Sequence, residues 1–115
     1  MPVIRLLMIG AVAVASACSS STSPSGGGGG GHSTTITVSN DFFSPTPDTV
    51  PAGLVTFSWS NASNSHNVTW LSGPGTLPTN SSIMTTGTYQ ATLAAGSYTY
   101  HCTIHAGMNG TIVVQ

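Results

Sequence analysis

The stretch HCTIHAGM, residues 101–108, places a thiol, an imidazole and a thioether close together, with the spacing C-x2-H-x2-M. Cys102, His105 and Met108 carry sulfur and nitrogen atoms of the kind that bind soft or borderline metal ions. A redox thiol and an inert core cysteine are the alternatives, because a buried free cysteine is common in protein cores. Cys102 is the only cysteine after residue 18, so it has no disulfide partner in that part of the chain.

A second histidine, His66, completes a recognisable set of metal-binding side chains. It alternates in phase with Val68 and Trp70 in HNVTW, so we expect it to point into the core. Two imidazoles, one thiolate and a thioether form the His2Cys set with a weak axial Met that is typical of a blue-copper electron-transfer site. Sulfur ligands favour Cu(I) and imidazole also suits Cu(II), so the set can hold one copper ion in both oxidation states. The combination favours a metal site over a group of solvated or hydrogen-bonded histidines.

The composition excludes several other classes of function. The chain has 115 residues, enough for one small domain, and only 3% of them are charged. Arg5 is the single basic side chain, whereas binding to nucleic acid or to an anionic membrane surface needs clustered Lys and Arg. The abundant Thr, Ser, Val and Tyr suit a β protein.

The folded part shows the two-residue period of strands, and turn signals separate its alternating runs. These runs are TITVS, VTFSWSN, HNVTW, YQATL, SYTYHC and GTIVVQ. The alternation predicts inward side chains at Ile36, Val38, Val55, Phe57, Trp59, His66, Val68, Trp70, Tyr89, Ala91, Leu93, Tyr98, Tyr100, Cys102, Ile112 and Val114. Short strands without interleaved helices predict an antiparallel β-sandwich.

The first residues have the features of an export signal. Residues 1–17 carry one positive charge, then an apolar run from Leu6 to Ala15, then small residues. The run is too short for a membrane-spanning helix, which needs about 20 apolar residues. Cleavage after residue 17 leaves Cys18 first, either as a lipidated cysteine of a bacterial lipoprotein or as an ordinary thiol after simple secretion. We favour lipidation, because an unpaired exported thiol otherwise lacks a role.

A Ser/Gly-rich linker follows, at residues 18–33, and it contains SSSTSPSGGGGGGHS. Such a composition cannot bury a core and predicts a flexible tether. We interpret His32 as a solvated linker residue. The predicted domain therefore covers residues 34–115.

SHNVTW and YTYHCTIHAGMNGTIVV resemble the small blue copper proteins, the cupredoxins, and the C-x2-H-x2-M spacing is that of amicyanin-like members. FSPTPDTVPAGLVTFSWSN is also similar to the family's entry strands. The resemblance implies a Greek-key sandwich with copper at one end, bound by His66, Cys102, His105 and Met108. It also implies that the edge of His105 is the electron port, where redox proteins dock.

The resemblance extends to two residues beside the ligands. Asn67 follows the first histidine, where the family's residue ties the two ligand loops together. Ile104 stands where Pro is common, so it retains a backbone N–H that we expect to point toward the Cys102 sulfur. His101, next to Cys102 but on the opposite strand face, is either a second electron route or a plain surface histidine.

Three other residues are weaker candidates for a chemical role. Met84 lies in the polar loop NSSIMTTG and is interpreted as a packing residue. Asp41 and Asp48 are too few and too near turns to suggest a catalytic carboxylate pair.

Multicopper oxidases and copper nitrite reductases also place a histidine beside the copper cysteine, but they need further histidine ligands and domains. We therefore expect no enzymatic activity.

The sequence thus predicts an exported, monomeric carrier of single electrons, periplasmic or on the cell surface, with a lipid anchor at Cys18. Two other functions remain open: a periplasmic copper-binding or storage protein that uses the same site, and a metal-free structural β-sandwich.

Overall fold

The computed structural model describes residues 31–60 and 62–115. The predicted signal peptide, Cys18 and most of the linker lie outside the described residues. The described part contains eight strands: β1 Thr35–Ser39, β2 Phe42–Ser44, β3 Asp48–Val50, β4 Gly53–Trp59, β5 Thr69–Ser72, β6 Gly87–Leu93, β7 Gly96–His101 and β8 Asn109–Val114. None of its residues forms a helix that is long and apolar enough to cross a membrane.

The strands form two four-stranded sheets, ordered β2-β1-β4-β6 and β3-β8-β7-β5. This confirms the predicted all-β sandwich. The predicted antiparallel pairing holds for four neighbouring pairs, but β1 pairs with β4 and β3 pairs with β8 in parallel. Along the chain β3 comes between β2 and β4, but it belongs to the other sheet. The chain therefore crosses from one sheet to the other, and strands that are not consecutive in the sequence, such as β1 and β4, become parallel neighbours.

The core lies between the sheets and follows the predicted alternation. The predicted inward residues are buried, except Tyr89, which is half-buried. Phe57 of β4 makes edge-to-face contacts with Trp70 and Tyr100 of the opposite sheet, at ring-centroid distances of 5.9 and 5.1 Å. Such aromatic pairs contribute about 0.5–1.5 kcal/mol each beyond their buried area. They fix the two sheets against each other.

The segment 44–48, SPTPD, departs from its prediction as a simple turn, because β3 begins at Asp48. Asp48 is fully buried rather than a turn residue, and its Oδ1 accepts a hydrogen bond from the Ser33 N–H at 3.0 Å. Gly31 also pairs with the edge of β3, since its N–H donates to Pro47 O and its carbonyl accepts from Thr49 N, both at 2.9 Å. The last residues of the predicted linker are thus bonded to the domain.

One end of the sandwich brings the candidate residues together, and we call it the ligand end. β4 ends there at Trp59, whose Nε1 donates to the His66 carbonyl at 3.2 Å. β7 ends there just before Cys102, and β8 begins there just after Met108. Since β1 runs parallel to β4, the chain enters β1 at the opposite end of the sandwich.

Gly110 of β8 provides a test of the core packing, because a Cβ at this position would overlap the buried ring of Tyr100. Gly110→Ala should lower the free energy of unfolding by about 1–3 kcal/mol, the usual cost of overpacking. Thr111→Ala, in the same strand on the opposite face, should change it by less than about 0.5 kcal/mol. Urea unfolding of both variants measures the difference. Equal losses in the free energy of unfolding would show that the Tyr100 ring moves aside without cost.

Candidate metal centre

Three metal-binding side chains converge at the ligand end. One ligand atom from each of His66, Cys102 and His105 lies within 4.8 Å of the others. The Cys102 Sγ lies 3.9 Å from the His66 Nδ1 and 3.8 Å from the His105 Nδ1. The two imidazole rings lie 4.7 Å apart, centre to centre. Both histidines therefore turn the same nitrogen, Nδ1, toward the sulfur.

These separations fit a metal ion held between the three atoms. Bonds from a borderline metal ion to imidazole nitrogen and thiolate sulfur are about 2.0–2.3 Å long. An ion bound at these lengths would separate its nitrogen and sulfur ligands by roughly 3.5–4 Å, the range in which both distances found here lie. Cys102 is a free, buried cysteine, so its sulfur is available as a ligand.

His66 is fixed by its own backbone. It forms a bridge with Met84, in which each N–H donates to the other residue's carbonyl at 2.9 Å. The Trp59 indole donates to the same His66 carbonyl. The side chain is fully buried. Met84 is half-buried against the core, in agreement with its interpretation as a packing residue.

The other candidate ligands lie on one short loop between β7 and β8. The Cys102 N–H donates to the Met108 carbonyl at 3.0 Å, and the Met108 N–H donates to the His105 carbonyl at 3.3 Å. Gly107 has a φ of +83°, a backbone conformation that glycine adopts without a steric cost. These features fold residues 102–108 back on themselves and bury the Met108 side chain.

Asn67 joins the two ligand segments. Its Oδ1 accepts from the Thr103 N–H at 2.8 Å, and its Nδ2 donates to the Thr103 Oγ1 at 2.9 Å. Thr103 directly follows Cys102, so the amide connects the residue after His66 with the residue after the cysteine. Ile104 comes next, with a largely exposed side chain. A hydrogen bond from its N–H to the sulfur stays a prediction.

The surroundings of His66 lower its pKa. Burial lowers the pKa of His66 below its ordinary value, and the neighbouring His105 lowers it further, while Asp41 acts to raise it. A lowered pKa keeps the imidazole neutral, which is the form that binds a metal ion.

His105 is the ligand that reaches the surface. Its side chain is 28% exposed, and its Nε2 lies 3.5 Å from the Asp41 Oδ1. Neither this contact nor the role of Thr103 was among the predictions made from the sequence. His101 ends β7, half-buried, and lies outside the group of three. It pairs along the backbone with Thr69 and Asn109.

Comparison with known proteins agrees with this geometry. A family model for the cupredoxin-like domain matches residues 6–114. The chain belongs to this family. A search of the curated proteins gives no significant match.

Two solved structures with the same fold come from Nitrosopumilus maritimus and Thermus scotoductus SA-01. A purple cupredoxin from Nitrosopumilus maritimus has a TM-score of 0.60 and 24% identity, and the match covers 70% of this chain and 98% of the other. The copper-containing nitrite reductase from Thermus scotoductus SA-01 has the same TM-score, identity and coverage of this chain, but only 22% of the reductase chain is matched. At this identity the likeness shows the fold alone.

Amicyanin is more similar in sequence. The Cu(I) form of an amicyanin mutant has a TM-score of 0.57 and 30% identity, with 70% of this chain and 80% of that chain covered. The cupredoxin fold, with His66, Cys102, His105 and Met108 arranged as a copper site, confirms the predicted copper cofactor. Family and site together support a copper electron-transfer protein.

Asn67→Ala tests how firmly the two ligand segments are joined. The change removes both hydrogen bonds to Thr103 and leaves a backbone N–H without its partner, so the free energy of unfolding should fall by about 1–3 kcal/mol. Thr103→Val removes only the bond to the hydroxyl and should cost less. Urea unfolding of the two metal-free variants measures the order, and a larger loss in Thr103→Val would contradict this account.

Proposed function

We propose that this protein is a mononuclear copper electron carrier whose ligands are His66, Cys102, His105 and Met108. The observation that carries the proposal is the triangle of Sγ and two Nδ1 atoms, with sides of 3.8 and 3.9 Å at the sulfur. The thioether of Met108 is buried on the same short loop. This donor set is the one that blue-copper sites use.

When bound, copper supplies a one-electron Cu(I)/Cu(II) couple. The protein's part is to keep the donors in one arrangement in both oxidation states. His66 is held by three hydrogen bonds to its backbone groups, one of them from the Trp59 indole, and the loop 102–108 by two of its own. Donor side chains that move little when an electron is gained or lost reduce the reorganisation energy of each transfer.

The burial of the donors also favours electron transfer over substrate chemistry. His66, Cys102 and Met108 are each at most 3% exposed, so His105 is the donor through which solvent is reached. Because Cys102 is only 3% exposed, its sulfur offers little surface to a small-molecule substrate. Nitrite reductase is an enzyme with the same fold, but this chain matches only 22% of it.

The surface around His105 suits contact with another protein. Three of the large apolar side chains exposed in the described residues belong to sequence neighbours of residues at the ligand end: Phe42 follows Asp41, Ile83 precedes Met84, and Ile104 precedes His105. They are 45–59% exposed. We propose that redox donors and acceptors dock on this surface and exchange electrons through the His105 edge.

The proposed location is outside the cytoplasm, with residues 1–17 as an export signal and Cys18 as the lipid attachment site. This proposal is supported by the sequence, where one positive charge, a short apolar run and small residues precede Cys18, as in an export signal.

Copper binding tests the proposed function directly. In a Cys18→Ser background, where Cys102 is the only thiol, Cu(II) should turn the purified protein intensely blue or green through thiolate-to-copper charge transfer. Cys102→Ser should abolish the colour. The visible spectrum records both results, and a protein that stays colourless would overturn the assignment.

The two methionines near the site provide a matched pair for this experiment. Met108→Leu should alter the visible spectrum, because it replaces the proposed thioether ligand with an apolar side chain of similar size. Met84→Leu should leave the spectrum unchanged, because Met84 contacts His66 through its backbone. A larger spectral change in Met84→Leu would mean that Met84, and not Met108, is the thioether ligand.

The rate of electron exchange should depend little on salt. The only carboxylate side chains are Asp41 and Asp48, Asp48 is buried, and the described residues include no Lys or Arg. Repulsion between two copies is therefore weak, and the self-exchange rate should vary less than about twofold between low and high salt. NMR line broadening in mixtures of the Cu(I) and Cu(II) forms measures this rate. A steep rise of the self-exchange rate with salt would contradict apolar contact at His105. Ala106→Lys adds a positive charge next to His105, and the salt dependence of its rate shows how large an effect one charge produces there.

A further inference from the structure

Asp41 occupies an unusual place in a protein with so little charge. The sequence has two carboxylate side chains, and Asp48 is fully buried. The other, Asp41, has a side chain that is 64% exposed, and its Oδ1 lies 3.5 Å from the Nε2 of His105. The one exposed carboxylate side chain thus lies against the one candidate ligand that reaches the surface.

The turn that carries Asp41 is firmly held. Residues 40 and 41 connect β1 to β2, and Asp41 has a φ of +69°, in the left-handed region. Asn40 attaches this turn to the segment that leads to His66: its Oδ1 accepts from Ser63 N at 3.0 Å and Asn64 N at 3.1 Å, and its Nδ2 donates to Ser63 Oγ at 2.6 Å. The backbone that carries Asp41 is therefore held in place by its neighbours.

We propose that Asp41 is a positioning residue for His105 and lowers the reduction potential of the copper site. This inference rests on the proposed function, because it assigns a tuning role at the same site.

The geometry explains both parts of this role. The Nδ1 of His105 faces the Cys102 sulfur, so Nε2 carries the ring proton when Nδ1 binds the metal. A carboxylate beside Nε2–H favours that tautomer and the ring orientation that goes with it, as carboxylates behind metal-bound histidines do. Its negative charge also stabilises Cu(II) relative to Cu(I), because the oxidised site carries one more positive charge.

Substitutions at position 41 separate charge from structure. Asp41→Asn keeps the size and tolerates a positive φ, and Asp41→Gly adopts this φ without a steric cost, so neither should reduce stability. Both should shift the Cu(I)/Cu(II) equilibrium toward Cu(I) by about threefold to tenfold, or about 28–59 mV for a one-electron couple. Asp41→Lys should shift it further in the same direction.

A charge-restoring variant is the matched control. Thr92 is exposed in β6 and pairs with Leu54 at the start of β4, away from the ligand end. Asp41→Asn combined with Thr92→Asp restores the net charge but not the local one, so its potential should stay close to that of Asp41→Asn. Recovery of the wild-type potential, or a shift of less than twofold in Asp41→Asn, would overturn the proposal.

Metal-free protein gives an independent measurement. The imidazole ¹⁵N resonances of His105 should change in Asp41→Asn and Asp41→Gly, while those of His32 and His101 should not. Unchanged His105 resonances would overturn the positioning role. A wild-type protein that binds no copper would overturn the proposed function and the tuning role with it, and these spectra would still decide the contact between Asp41 and His105.

Discussion

The pair of hydrogen bonds between Asn67 and Thr103 is the constraint on which the site depends. His66 precedes β5 and Cys102 follows β7, and these two strands are antiparallel neighbours. Strand pairing brings both segments to one end of the sandwich, and the bridge to Met84 holds His66 there. The Asn67 amide joins the two segments beyond the last strand pair, because its oxygen accepts from the Thr103 N–H and its nitrogen donates to the Thr103 hydroxyl. The sulfur-to-nitrogen distances near 3.8 Å follow from this closure together with the folded loop of residues 102–108.

Sequence alternation predicted the parts of the fold in which one strand face is buried. A one-residue shift of such a strand exposes every core side chain, so the pattern of Tyr98, Tyr100 and Cys102 leaves a single inward face. The same argument placed His66 inside, although it lies before the strand rather than within it. β2 and β3 could not be predicted in this way, because three residues are too few to show a period. The parallel pairs were also inaccessible, since they depend on which sheet each strand joins.

The carboxylate at His105 shows a different limit. Asp41 and His105 are far apart in the sequence, and their contact depends on how the turn after β1 lies over the loop after β7. Neither local propensity nor spacing reports such a contact. The scarcity of charge was the signal that could have drawn attention to Asp41: in a chain with two carboxylate side chains, one of which is buried, an exposed one has few structural reasons to be there.

The scarcity of charged side chains also determines how strongly Asp41 acts on His105. On an ordinary surface many charges of both signs surround a redox site, and each contributes a small, partly cancelling part of the field. Here the described residues hold no Lys or Arg, and Asp41 lies 3.5 Å from the ring it faces. Salt screens charges over about 8 Å at physiological ionic strength, so this contact lies well within the unscreened range. The field at the His105 edge is therefore dominated by one side chain, while the rest of the surface formed by the described residues carries no Lys, Arg or exposed carboxylate side chain. Near-neutrality of the whole and strong local tuning are compatible because they operate over different distances.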